Sequence, residues 1–184
     1  KRPLVRYSFK TAALAGFDVL LHDISAERIE KGLATIGGNM ARAVTSGKLT
    51  EDARAAALPR IKPAPAMENL AAADLVIEAA TEDEATKRKI YAAVCPVLRP
   101  EAILATNTSS ISITRLASST DRPERFIGMH FMNPVPIMKL VELVRGIATD
   151  APTFEAAREF AHKLDKTVTV AEDFPAFIVN RILL

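Results

Sequence analysis

Short apolar runs alternate along the chain with longer segments in which polar residues are interspersed. The apolar runs predict strands at residues 17–21, 74–79, 102–106, 126–131, 140–144 and 167–170. The longer segments predict helices at residues 25–46, 50–58, 82–98 and 153–164. Continuous apolar strands that alternate with helices are typical of a sheet whose two faces are covered by helices. The pattern therefore predicts an α/β fold with a doubly wound, mostly parallel sheet.

Composition restricts the class of protein. The 184 residues are 49% apolar and 25% charged, which is typical of a soluble globular domain. The net charge of +2 gives no reason to expect nucleic acid or an anionic membrane as a partner. The sequence contains no run of about 18 apolar residues, so no membrane-spanning helix is predicted. The single cysteine, Cys95, excludes an internal disulfide and favours a reducing, cytoplasmic location, and three scattered histidines predict no metal site.

Doubly wound sheets bind ligands at the carboxyl ends of their strands, so the polar residues just after the predicted strands are the candidates for function. These are Asp23, Glu78, Asn107 with Ser109, and His130. For the small polar residues 107–110, capping of a following helix is the alternative to donating hydrogen bonds to a cofactor or substrate.

Asp23 ends the first predicted strand. An acidic residue there accepts hydrogen bonds from the adenosine ribose in dinucleotide-binding folds and repels the 2′-phosphate of NADP, so it favours NAD. The alternative is a helix N-cap shared with Ser25. The expected G-x-G-x-x-G turn, about 20 residues upstream, is absent, because only Gly16 precedes Asp23 and Gly37 and Gly38 lie within a predicted helix.

His130 and Glu142 each lie in a predicted apolar strand. A lone histidine there is either a satisfied core residue or an acid/base. A carboxylate between Val141 and Leu143 needs a partner if it is buried. His130 is a candidate partner, because a buried carboxylate orients an imidazole and raises its basicity.

Several longer strings resemble the 3-hydroxyacyl-CoA dehydrogenase family. They are LAGFDVLLHDIS, DLVIEAATEDEATKRKI, ATNTSSISIT, RFIGMHFMNPVPIMKLVELVRG and EDFPAFIVNRILL. The resemblance implies a Rossmann-like NAD-binding domain at 11–176, an atypical segment at 1–10 in place of the first strand and glycine loop, and the start of a truncated helical domain at 177–184. It also implies a homodimer formed through that helical domain.

The same resemblance implies NAD-dependent, reversible oxidation of a 3-hydroxyacyl-CoA, most similar to the 3-hydroxybutyryl-CoA reaction. His130 would be the general acid/base, Glu142 would support the imidazole, and Ser109 and Asn180 would position the substrate oxygen. The implied cofactor-binding residues are Asp23, Glu78, Asn107, Ser109, Asn133 and Lys87, of which Lys87 could instead reach the CoA tail.

Other interpretations stay open at this point. Without a phosphate-binding loop, the chain could be a catalytically silent nucleotide-binding-like or structural domain, or a fragment with no function of its own. A hydroxyacid dehydrogenase acting on a substrate other than a CoA thioester is a further alternative, because the sequence has no clear basic cluster for the CoA phosphates. The candidates for such a cluster are Arg42, Lys48 and Lys87.

Overall fold

The computed structural model describes residues 5–174 and 177–179, and it divides the chain into two compact units. The first unit comprises residues 1–69 and 133–137, and the second comprises residues 70–132 and 138–184. The sequence predicted one domain over residues 11–176, and the structure divides this range between the two units. No helix in the described part of the chain is both long and apolar enough to cross a membrane.

The first unit is mostly helical and contains a small parallel sheet. Its elements are α1 (Val5–Leu14), β1 (Val19–Leu21), α2 (Ala26–Thr45), α3 (Glu51–Ala57) and β2 (Ile61–Pro63). Strand β1 pairs with β2 in parallel, with Val19 opposite Ile61.

The sequence placed the ends of α2 correctly. The Ser25 hydroxyl accepts the backbone N–H of Arg28 at 3.3 Å and so caps the helix. Gly47, just beyond the helix, adopts a φ of 68°, which an L side chain rarely tolerates. Ile29, Ile36 and Met40 recur on one face of α2 and are buried there.

The second unit carries a five-stranded sheet in the order β3-β4-β5-β6-β7. Its elements are β3 (Leu75–Glu78), α4 (Glu84–Val94), β4 (Ile103–Thr106), α5 (Ile113–Ala117), β5 (Phe126–Phe131), β6 (Leu140–Arg145), α6 (Ala151–Lys163) and β7 (Thr167–Ala171). All neighbouring strands are parallel except β5 and β6, which are antiparallel. The prediction of a mostly parallel sheet flanked by helices is confirmed.

Several features differ from the sequence prediction. The short strand β2 was not among the predicted strands, and it pairs with β1 in a sheet separate from the five-stranded one. Helix α1 was not predicted. A helix after residues 107–110 was considered only through the capping alternative, and α5 lies there with Ser112, outside that range, as its N-cap. The direction of β6 was not predicted either. Strand β6 is antiparallel to β5 because the connection between them, residues 132–139, is too short for the crossover that a parallel neighbour needs.

Candidate active site

The carboxyl ends of β3, β4 and β5 lie side by side in the second unit. Glu78, at the end of β3, is opposite Thr106, at the end of β4, and Thr106 is opposite Gly128 in β5. The loops that leave these strands therefore share one edge of the sheet. This is the edge at which doubly wound sheets bind ligands.

His130 and Glu142 form a buried pair across the antiparallel strands β5 and β6. They are direct partners in the register, and opposite residues of an antiparallel pair point to the same face. The imidazole Nδ1 donates to the Glu142 Oε2 at 2.6 Å. Only 6% of His130 and 0% of Glu142 are exposed, so the pair is shielded from water. Because Nδ1 is held by the carboxylate, Nε2 is the nitrogen left to exchange a proton with a ligand.

Ser109 completes a line of three polar side chains. Its Oγ lies 3.1 Å from the His130 Nε2, on the side of the ring opposite Glu142. Ser109 reaches this position because its loop follows β4, the strand next to β5. The structure thus brings together three of the residues that the sequence had proposed as catalytic.

The loop that carries Ser109 is held by two side chains. The Asn107 Oδ1 accepts the backbone N–H of Phe131 at 2.9 Å, which joins the ends of β4 and β5. Glu82 Oε1 accepts the Thr108 hydroxyl at 2.7 Å and the backbone N–H groups of Ser109 and Ser110 at 2.8 and 2.9 Å. Asn107 therefore fixes the loop through its side chain, and its predicted contact with a cofactor stays a prediction.

The sequence pattern does not single out Glu82, because a glutamate is ordinary at the start of a predicted helix. Burial alone would raise the pKa of Glu82, but hydrogen bonds from Thr108, Ser109 and Ser110, with the charge of Lys87, outweigh it and lower that pKa. Glu82 is thus held as a carboxylate. The signal that could have found it is its place directly after β3, beside the loop that follows β4.

The line Ser109–His130–Glu142 allows two kinds of chemistry. The order hydroxyl, imidazole and carboxylate is also that of a hydrolase triad. A hydrolase, however, needs free N–H donors for the oxyanion, and the amides of Ser109 and Ser110 are bound to the Glu82 carboxylate, which would repel an oxyanion. The geometry favours proton exchange between His130 Nε2 and a ligand hydroxyl that Ser109 helps to hold.

Glu78 and Lys87 form a second buried network. The Lys87 Nζ lies 2.6 Å from the Glu78 Oε2, and the same oxygen accepts the hydroxyls of Tyr91 and Thr106, each at 2.9 Å. Burial, followed by the charge of Glu78, raises the pKa of Tyr91. Lys87 is only 1% exposed, so it does not extend toward solvent as the proposed contact with a CoA tail would require. Contact of either side chain with a cofactor stays a prediction.

Two other predicted residues lie in the first unit. Asp23 follows β1, and its Oδ1 accepts the N–H of Ile24 at 2.7 Å, while Ser25 alone caps α2. Its carboxylate is therefore not the helix cap that was the alternative interpretation. Asn133 is exposed at the start of the 133–137 segment. Asn180 lies outside the described residues.

Comparisons with known proteins give one consistent family. The family described as 3-hydroxyacyl-CoA dehydrogenase, NAD binding domain, matches residues 8–174. A 3-hydroxybutyryl-CoA dehydrogenase of Bradyrhizobium diazoefficiens is 65% identical over 173 residues, and a 3-hydroxyadipyl-CoA dehydrogenase of Escherichia coli is 44% identical over 173 residues, each over 94% of this chain. The crystal structure of (S)-3-hydroxybutyryl-CoA dehydrogenase from Ralstonia eutropha superposes with a TM-score of 0.94 at 44% identity, over 97% of this chain.

These relatives are longer than the chain. The chain spans 59% of the Bradyrhizobium protein, 36% of the Escherichia coli protein and 63% of the Ralstonia chain.

Proposed function

The chain belongs to the 3-hydroxyacyl-CoA dehydrogenase family through its NAD-binding domain, and on this premise we propose that it serves the NAD-dependent oxidation of a 3-hydroxyacyl-CoA to the 3-oxoacyl-CoA, and the reverse reaction. The proposed substrate is 3-hydroxybutyryl-CoA, the substrate that the Bradyrhizobium and Ralstonia relatives are named for. The observation that carries the proposal is the line Ser109–His130–Glu142, in which His130 and Glu142 are buried. A homodimer and a cytoplasmic location stay predictions from the resemblance.

The residues of the chain suit the ribose and nicotinamide parts of NAD. When bound, NAD⁺ accepts the hydride from C3 of the substrate. Asp23 presents a carboxylate with 41% of its side chain exposed after a parallel strand, which suits the two hydroxyls of a ribose and disfavours a 2′-phosphate. The loop 107–110 and Glu78 lie at the carboxyl edge of the second sheet. No residue is assigned to the pyrophosphate, because the sequence has only Gly16 upstream of Asp23.

His130 and Glu142 would move the proton. In the oxidation, His130 Nε2 takes the proton of the 3-hydroxyl, and the ring becomes cationic against the buried carboxylate of Glu142, which stabilises it. In the reduction, the same nitrogen returns the proton to the oxygen on C3. Ser109 Oγ, 3.1 Å from Nε2, holds that oxygen in line with the imidazole.

Two measurements test this function in order. Fluorescence titration of the folded protein with NADH and NADPH comes first, and we expect saturable binding with a preference for NADH. A folded protein that binds neither would contradict the nucleotide site and support the silent, structural alternative.

Activity is then measured with acetoacetyl-CoA by the loss of NADH absorbance. Replacing His130 with Gln should lower kcat by about 10²- to 10⁴-fold, the usual contribution of a general acid/base. The matched control is His162→Gln, because His162 is an exposed histidine on α6. Equal turnover by the His130→Gln variant and the wild type would overturn the assignment.

A further inference from the structure

A short turn beyond β7 contacts both members of the His130–Glu142 pair. The backbone N–H groups of Ile178 and Val179 donate to the Glu142 Oε1 at 3.0 and 2.9 Å. The other carboxylate oxygen, Oε2, accepts from His130. The two oxygens of Glu142 are therefore divided between the imidazole and this turn.

Phe177, which begins the turn, covers the imidazole. Its ring centroid lies 5.9 Å from that of His130, with the two planes 60° apart, and the residue is 3% exposed. Its φ is 48°, in the left-handed region that a bulky aromatic residue rarely adopts. Such a conformation persists only where surrounding contacts hold it, and strained residues of this kind concentrate at functional sites.

The energetic reason for the turn lies in the burial of Glu142. A carboxylate that is 0% exposed needs several hydrogen-bond donors to remain charged. His130 supplies one donor, and the turn supplies two that come from the backbone and cannot rotate away. Two fixed donors on Oε1 set the rotation of the carboxylate and so aim Oε2 at Nδ1 of the imidazole.

We propose that the Phe177–Val179 turn is a positioning element for His130: its amides orient Glu142, and the Phe177 ring limits the tilt of the imidazole. The inference rests on the proposed function for the acid/base role of His130. The orientation of the imidazole, however, is measurable without any turnover.

The first readout is spectroscopic. A proton on Nδ1 that is shared with a carboxylate 2.6 Å away gives a far-downfield NMR resonance. The resonance is assigned to His130 if it is lost in the His130→Gln variant. We expect this resonance to weaken or disappear in Phe177→Ala, which removes the ring, and in Ile178→Pro, which removes one N–H donor. The matched control is Val141→Ala. Val141 is also buried, but it points to the opposite face of β6 from Glu142, so its loss should leave the resonance in place.

The second readout is kinetic. In folded Phe177→Ala and Ile178→Pro proteins, kcat should fall by about 100-fold, as for a misplaced catalytic group, while KM for NADH changes little. A folded Phe177→Ala protein with the wild-type resonance and kcat would overturn the proposal. If the wild type shows the resonance but no dehydrogenase turnover, the proposed function fails, and loss or retention of the resonance in the variants still decides the role of the turn.

Discussion

Two buried carboxylates, Glu142 and Glu78, are satisfied in different ways. Glu142 accepts hydrogen bonds from an imidazole and from two backbone amides. Glu78 instead contacts the Lys87 Nζ at 2.6 Å and also accepts the hydroxyls of Tyr91 and Thr106. The proton exchange proposed above belongs to the first pair, whereas the second is a buried ion pair whose contact with a cofactor stays a prediction.

The buried pair of Glu78 and Lys87 leads to a prediction about the free energy of unfolding. Replacing Lys87 with Met should lower the free energy of unfolding by about 3–5 kcal/mol, because Glu78 would be left buried without its counter-charge. Urea denaturation at neutral pH measures this loss. The double variant Glu78→Gln with Lys87→Met removes both charges and should recover part of the loss. A double variant that loses the sum of the two single effects would show that the pair is not coupled.

At single positions, the sequence singles out some functional residues by their type, but it does not show which residues they contact. His130 and Glu142 stood out because each is polar within an apolar strand. Glu82 and Phe177 did not stand out, since a glutamate near a helix start and a phenylalanine in an apolar tail are ordinary. Their roles come from contacts with residues more than 25 positions away along the chain, such as Glu82 with Ser109 and Ser110.

At the scale of elements, six of the seven strands in the described residues were predictable, whereas β2 and helix α1 were not. Helix α5 was considered only through the capping alternative. Helix α5 has only five residues, and Asp173 accepts the backbone N–H groups of Ile113 and Thr114 at its start, at 2.7 and 2.8 Å. Ser112 also caps α5 locally, because its hydroxyl accepts the backbone N–H of Arg115 at 3.3 Å. Only the contacts from Asp173, about 60 residues downstream, leave no local pattern. The direction of β6 was accessible in principle, because the short connection of residues 132–139 excludes a crossover.

The packing of β5 against α5 and β6 depends on Gly128. A Cβ at this position would lie 2.7 Å from the Ile113 Cδ1 and 3.0 Å from the Val144 Cβ. Gly128→Ala should therefore lower the free energy of unfolding by about 1–3 kcal/mol, the usual cost of overpacking a core. Thermal and urea denaturation measure the change.

Gly37 is the matched control, because it lies within α2 and a Cβ there would meet nothing within 4 Å. Gly37→Ala should raise stability by up to about 1 kcal/mol through helix propensity. Equal effects of the two substitutions would mean that the contact at Gly128 does not govern the packing.

At the scale of the whole molecule, lowered carboxylate pKa values predict sensitivity to acid. Hydrogen bonds lower the pKa of Glu82 against the effect of its burial, and hydrogen bonds from Thr86 lower the pKa of Asp83. A group whose pKa is lowered in the folded state stabilises the protein at a pH above the ordinary pKa of that group, which is 4.5 for Glu82. This stabilisation is lost as the pH falls through the lowered pKa of the folded state.

The free energy of unfolding should therefore fall as the pH drops below the ordinary carboxylate range. In Glu82→Gln this dependence should be weaker. The variant should be less stable than the wild type by at most about 1 kcal/mol near neutral pH, since solvent screens this partly exposed carboxylate, and the difference should vanish in acid. Urea denaturation over a pH series measures both curves. A difference that grows toward low pH would contradict the role given to Glu82.

The antiparallel register of β5 and β6 also has a consequence for refolding. Sliding β6 by one residue would turn Glu142 to the other face and place Val141 or Leu143 opposite His130, with most apolar neighbours still covered. Such a misfolded product would be compact and rich in native-like secondary structure, yet it would have no acid/base pair. The specific activity of renatured protein would thus report the fraction of chains with correctly aligned strands, which far-UV circular dichroism would overestimate.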